Sequence, residues 1–321
     1  MGGHEDSRRL KSVALAFLMG VACAPAQHSA PPPPCPSIAV APSPPPPPPA
    51  PVTIATAPPK ETRLILDGTE VHDLASKVNG RSYQIVVGPP YKPEPGKKFA
   101  TIYVLDGYWD FPLVNGMRGA LHYDKVIPDI MIVGIGYTGK KPDDPEIHKL
   151  RPSDFTPTEN PKREGSGKAP EFLRFIESEL FPFIEARYPS DPEHRVITGV
   201  SFGGLLALYA LLEKPELFYG YVAITPALRW DDQWLSKRQR EHAKTHPQLN
   251  ERVFLAVGED EEPEVVTIGR AFMKQMEQSR YKDLALRSRI IEGERHAGLK
   301  HEAYNRGLRH VLAPLAPNPS K

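Results

Sequence analysis

The sequence predicts an α/β fold in which a mostly parallel central sheet carries helices on both faces. Three observations point to it. Short apolar runs of strand length alternate with longer stretches of helical periodicity from about residue 80 onward. Several runs, such as Ile130-Met131-Ile132-Val133, are apolar at every position, which suits strands covered on both sides. No internal repeat of fixed period divides the chain, so a single sheet takes up all the strands.

In chain order, length and β-branched content place strands at 83–87, 99–105, 130–135, 196–198, 221–224, 253–257 and 286–291. Helices are expected at 171–186, where Phe172, Phe175, Ile176, Leu180, Phe183 and Ile184 recur at 3-to-4 spacing, and at 205–212 and 265–280. A last helix at 301–312 closes the chain.

The N-terminal residues read differently. Arg8, Arg9 and Lys11 precede the uncharged run 12–22, the order of the n-region and h-region of a secretory signal peptide, which is assigned to 1–23. That run is too short to cross a bilayer, which takes about 20 apolar residues. It ends Met19-Gly20-Val21-Ala22-Cys23, and a small residue directly before a cysteine resembles the lipobox of bacterial lipoproteins. The resemblance implies lipidation of Cys23, a membrane tether and a periplasmic or envelope location. Gly20 stands where the pattern prefers Leu, and cleavage after Ala26, giving a soluble exported protein, is the alternative.

Residues 24–59 contain sixteen of the 38 prolines and no charged side chain, so they form a linker that cannot pack, extended as polyproline II over 31–51. The core therefore belongs to a single domain, 60–321. Cys35, the only other cysteine, lies in the linker, leaving the domain without a disulfide or a cysteine metal site. Forty basic against 39 acidic residues give a net charge of +1, and no basic block follows Lys11, which sets a nucleic-acid partner aside.

The chemistry sits at three strand ends. Gly199-Val200-Ser201-Phe202-Gly203 is a G-x-S-x-G pentapeptide between an apolar strand and a small-residue helix. A serine on so sharp a turn is thrust above the sheet, and the flanking glycines remove β-carbons that would collide. Its hydroxyl needs a base, and His296, in a small-residue loop between the last strand and last helix, is the best placed. His242 and His246 read as a charged helical surface, and His301 and His310 as helix residues. The acid that orients the imidazole comes from the run Glu259-Asp260-Glu261-Glu262, with Glu261 chosen and Asp260 and Glu262 as competitors. Backbone amides of Tyr108 and Phe202 are the expected oxyanion donors. Trp109, Arg118, Arg151 and Trp230 complete the set as substrate contacts. The aromatics near the strand ends, Phe111 and Trp234 among them, form either an aryl-binding wall or a cover over the core edge. No metal or cofactor is called for.

Leu105-Asp106-Gly107, the segment 151–157 (RPSDFTP), Gly199 to Gly204, the segment 223–230 (AITPALRW) and Gly293-Glu294-Arg295-His296 together resemble the esterase branch of the α/β-hydrolases that includes the siderophore trilactone esterases. The resemblance runs over about 70–313. It implies an α/β-hydrolase fold, a small-molecule ester substrate, and Ser201 and His296 as nucleophile and base, with a weak or absent acid in the trilactone group. A catalytically silent binding protein and a peptidase or acyltransferase on the same scaffold are the rival readings.

Overall fold

Runs of β-branched and aromatic residues that are apolar on both faces have to be paired on both edges and covered on both sides. The fold supplies this with one sheet of eight strands: β1 (Glu70–Ala75), β2 (Ser82–Gly88), β3 (Phe99–Leu105), β4 (Met131–Tyr137), β5 (Ser190–Val200), β6 (Gly220–Ile224), β7 (Arg252–Gly258) and β8 (Ala285–Ile291). The computed structural model describes Leu66 and residues 68–317, which fall in one compact unit. The expected signal peptide (1–23), Cys23 and the expected linker (24–59) lie outside the described residues.

The strand order is β1-β2-β4-β3-β5-β6-β7-β8. β1 and β2 pair antiparallel with each other, β2 pairs antiparallel with β4, and every pairing from β4 onward is parallel. β3, β4 and β6 are buried at every position. All parallel strands therefore end at one edge of the sheet, where their connecting loops gather.

The helices are α1 (Gly107–Tyr123), α2 (Ile147–Phe155), α3 (Ala169–Phe175), α4 (Phe181–Glu185), α5 (Phe202–Glu213), α6 (Trp230–Thr245), α7 (Pro263–Gln278) and α8 (Lys300–Leu312). α1 and α8 close one core, with Phe111, Val114, Tyr304 and Leu308 against Ile102, Val222 and Phe254 of the sheet. The other helices close the second, in which α5 is buried from Gly203 to Leu212. No described helix is long and apolar enough to cross a membrane.

Each strand expected from the sequence is present, and the differences have local causes. β1 (EVHDLA) is a largely exposed edge strand in which Glu, His and Asp interrupt the apolar residues, so it carries no long apolar run. α1 contains Pro112, Gly116 and Gly119, which read as breakers. The helix expected at 171–186 is α3 and α4 joined by a π-turn over Ile176–Leu180, with the Phe181 amide bonded to Ile176 O. Pro182 has no N–H to continue an α-ladder there, and the wider turn absorbs the mismatch. In α6, His242 is buried rather than on a charged surface. Its Nδ1 meets Tyr281 Oη at 3.0 Å, its ring stacks on His246 at 4.3 Å, and burial with the nearby His246 pushes its pKa down to about 4.

Candidate active site

β5 delivers its chain to α5 through Ser201, whose φ of 59° and ψ of −114° lie outside the regions open to ordinary residues. Only over-determined surroundings hold such a residue. Here Ser201 N donates to Ile224 O (3.0 Å), while Ser201 O accepts from Leu205 N (2.9 Å) and Ala227 N (3.0 Å). A β-carbon on Gly199 would stand 2.6 Å from Gly203 C, so the turn closes only with glycine there.

The adjacent strand β3 feeds α1 through Asp106, which is left-handed (φ 55°). The two turns touch: a β-carbon on Gly203 would stand 3.4 Å from Leu105 Cβ and 3.7 Å from Asp106 Oδ2. Tyr108 and Phe202 thus occupy the first turns of neighbouring helices, where amides have no intrahelical acceptor and the helix dipole is positive. Asp106 is held from behind by a bidentate fork, Arg151 Nε to Oδ1 at 2.7 Å and Nη2 to Oδ2 at 2.8 Å, and accepts the Tyr108 hydroxyl at 3.1 Å. The Arg151 guanidinium also lies over the rings of Trp109 (5.2 Å) and Phe202 (5.9 Å), so it packs against both turns at once.

β7 and β8 end in the acidic turn and the histidine loop. Of the four consecutive carboxylates, Glu261 is the one in contact with His296: its Oε2 meets Nδ1 at 2.8 Å, and its Oε1 accepts the Gly258 amide at 3.3 Å. The Glu261 side chain is 2% exposed and that of His296 is 54% exposed. Burial pushes the Glu261 carboxyl up, but His296, with smaller contributions from Thr225 and the Gly258 amide, outweighs this and holds it below the usual carboxylate range. The remaining carboxylates face elsewhere: Glu259 accepts the Gly293 amide, Asp260 is exposed, and Glu262 pairs with Arg229 at 2.8 Å.

Ser201 and His296 line one cleft of about 540 Å³, together with Phe202, Trp230, Lys162 and Arg163. No hydrogen bond joins the serine hydroxyl to the imidazole. Such contacts often tighten only on a substrate. Trp230 is fixed edge-on to Phe202 (5.5 Å, 82°) with its Nε1 donating to Thr158 Oγ1 at 3.0 Å.

Three expected substrate contacts do not line this cleft. Arg118 is buried at the opposite end of the sheet, where Nη1 donates to the carbonyls of Gly88, Pro89 and Ile130, so it holds a chain corner together. Arg151 is committed to Asp106, and Trp109 packs edge-on against Tyr108 (4.6 Å) behind the turn. Phe111 is core, and Trp234 packs near Tyr209.

Sequence reasoning missed Thr225. It is 1% exposed, left-handed (φ 38°), and lines the cleft after β6. It also missed Asp110, which receives Lys300 Nζ and Tyr304 Oη, both at 2.7 Å, and so ties α1 to the helix that follows His296.

Residues 76–304 match the family model described as "Putative esterase". The ferri-bacillibactin esterase BesA of Bacillus subtilis is 31% identical over 279 residues, covering 79% of this chain and 92% of the relative. The solved structure of the BES protein from Bacillus cereus superposes with a TM-score of 0.73 at 26% identity, over 79% of this chain and 98% of that one. The siderophore hydrolase EstB from Aspergillus nidulans shares the fold with a TM-score of 0.68 at 23% identity, over 81% of this chain and 100% of that one. A match over most of the folded chain, and a relative of this identity over nearly its whole length, place the chain in that family: it is a carboxylic ester hydrolase of α/β-hydrolase fold.

Proposed function

We propose that this esterase works through an acyl-enzyme on Ser201 and that its substrates are siderophore esters. The observation that carries the mechanism is the buried Glu261 carboxylate against Nδ1 of a half-open imidazole, beside a serine held in a strained turn. With Nδ1–H donating to Glu261, Nε2 keeps its lone pair and serves as the base. Ser201 Oγ adds to the ester carbonyl as its proton passes to His296 Nε2. The oxyanion is held by the amides of Tyr108 and Phe202. The imidazolium then protonates the departing alcohol, leaving the acyl-serine. A water enters, gives its proton to Nε2 and releases the acid, with the proton returned to Ser201.

For the substrate, support comes from the relative named as a ferri-bacillibactin esterase and from the cleft itself. A ferric phenolate complex is anionic and aromatic. The cleft offers Lys162 and Arg163, neither in an ion pair among the described residues, beside the Trp230 ring. The test is a hydrolysis panel of ferric and metal-free trilactone siderophores, a short aryl ester, and feruloyl and acetyl sugars, with Ser201→Ala as blank. Trilactones are expected to give the highest kcat/KM, and an aryl ester exceeding them would overturn the substrate assignment. Export with a tether at Cys23 belongs to the same reading, supported by the charged and apolar order of residues 8–23. On that reading, Cys23→Ser moves the enzyme out of the membrane fraction.

A further inference from the structure

At the end of the sheet away from Ser201, the fold gathers positive charge that the sequence spreads over three elements. Arg252 opens β7. Arg287 and Arg289 stand two apart on the edge strand β8 and so share a face. Arg306 and Arg309 stand three apart on α8, the helix covering that face, and so are neighbours on its surface. These five arginines line a cleft of about 420 Å³ whose other lining residues are small or apolar apart from His310. No carboxylate lines it among the described residues. Arg306 has Glu302 at 2.6 Å, but no ion pair among the described residues includes Arg287, Arg289 or Arg309.

The cleft is also built. Arg252 donates through Nε (3.2 Å) and Nη2 (3.0 Å) to His310 O, which fixes its guanidinium, and His310 Nε2 donates to Ala285 O at 2.8 Å. Burial, with Arg252 and Arg287 alongside, lowers the His310 pKa, so the positive charge is that of the arginines. One or two charges are enough to guard an edge strand against pairing. Defence of β8 does not require three further arginines from β7 and α8 to converge on the same space.

We propose that this cleft binds a small ligand bearing two or more phosphoryl groups, at a site separate from ester hydrolysis. Guanidinium forks match phosphoryl oxygens two at a time. A terminal phosphoryl group carries about −1.5 to −2 charge, so two or three of them balance most of five arginines, whereas carboxylates would need about five in the same space. β7 separates the cleft from the active-site edge by seven residues, roughly 20 Å at about 3.3 Å per residue, too far for a substrate subsite. A free polyphosphorylated metabolite and a doubly phosphorylated lipid headgroup present the same chemistry.

The test uses the full chain. Melting is followed with increasing sodium tripolyphosphate and, at matched ionic strength, sodium sulfate. Co-sedimentation is measured with phosphatidylcholine vesicles with and without cardiolipin. A saturable rise in Tm of about 5 °C with tripolyphosphate and little with sulfate supports the site. Sedimentation only with cardiolipin, competed by tripolyphosphate, supports it and identifies a lipid source. The Arg287→Gln/Arg289→Gln double variant should weaken either response at least tenfold while hydrolysing an aryl ester at the parent rate. Arg309→Gln, on the helix rather than the edge strand, should weaken it too. Equal responses to sulfate and tripolyphosphate, no saturable response to either probe, or undiminished binding by both variants would overturn the proposal.

Discussion

Replacing Glu261 with Gln keeps the shape of the acid and removes its charge. At the observed 2.8 Å, the attraction between carboxylate and imidazolium is about 1.5 kcal/mol at the dielectric of water and about 6 kcal/mol at an effective value of ~20. Glu261 is 2% exposed but His296 is 54% exposed, so water reaches one partner and the lower half of that range applies, about 2–4 kcal/mol. The imidazole becomes charged only as the serine adds, so the loss falls on the transition state. At about 1.36 kcal/mol per decade, kcat should fall roughly 30- to 1000-fold with little change in KM. That is less than the ~10⁴ seen when the acid of a fully buried triad becomes an amide. The assay is steady-state hydrolysis of a short aryl ester at pH 7–8, with Asp260→Asn and Glu262→Gln as controls, each expected within about twofold of the parent because neither touches His296. A loss below tenfold for Glu261→Gln would mean that Ser201 and His296 act as a pair, and a larger loss in either control would move the acid to that residue.

Further outcomes follow from the same geometry. Ser201→Ala and His296→Ala should each remove nearly all turnover and the double variant should be little worse, since the two act as a unit; additive losses in kcat would contradict this. Because the Glu261 carboxyl is held below its ordinary value, its stabilisation is fully present above the unfolded value of about 4.3 and is lost as pH falls through the folded one. The gap in urea midpoint between the parent and Glu261→Gln should therefore be present at neutral pH and shrink as pH falls below the ordinary carboxylate range, and a constant gap would refute the linkage. Arg151→Met leaves Asp106, 3% exposed, as an uncompensated buried charge, so unfolding free energy should drop by about 3 kcal/mol, with part of the loss recovered on adding Asp106→Asn. A cost below about 1 kcal/mol would show that the fork does not hold the turn.

What the sequence discloses is local, and what it hides is assembled from distant parts. The seven apolar strands and the serine turn were readable because each signal lies within about ten residues: an apolar run, or glycines two positions either side of a serine. The acid was readable only as a run of four carboxylates. Which of them faces His296 depends on the backbone of the turn after β7 and on a loop 35 residues further along the chain. The pairing of Arg151 is hidden for the same reason, since its partner Asp106 is 45 residues upstream. Thr225 lies in the 223–230 segment, but nothing there marks it as a cleft residue: a β-branched residue at positive φ contradicts local preference, and only the packing of β6 against β7 makes it tolerable. The arginine cleft carries the argument furthest. The chain holds no basic block after Lys11, and a linear reading dismisses polyanions. Strand alternation at 287 and 289, helical spacing at 306 and 309 and the first residue of a neighbouring strand nevertheless bring five arginines around one space. Net charge close to zero constrains a partner's charge only when the charges are spread evenly, and the fold decides whether they are.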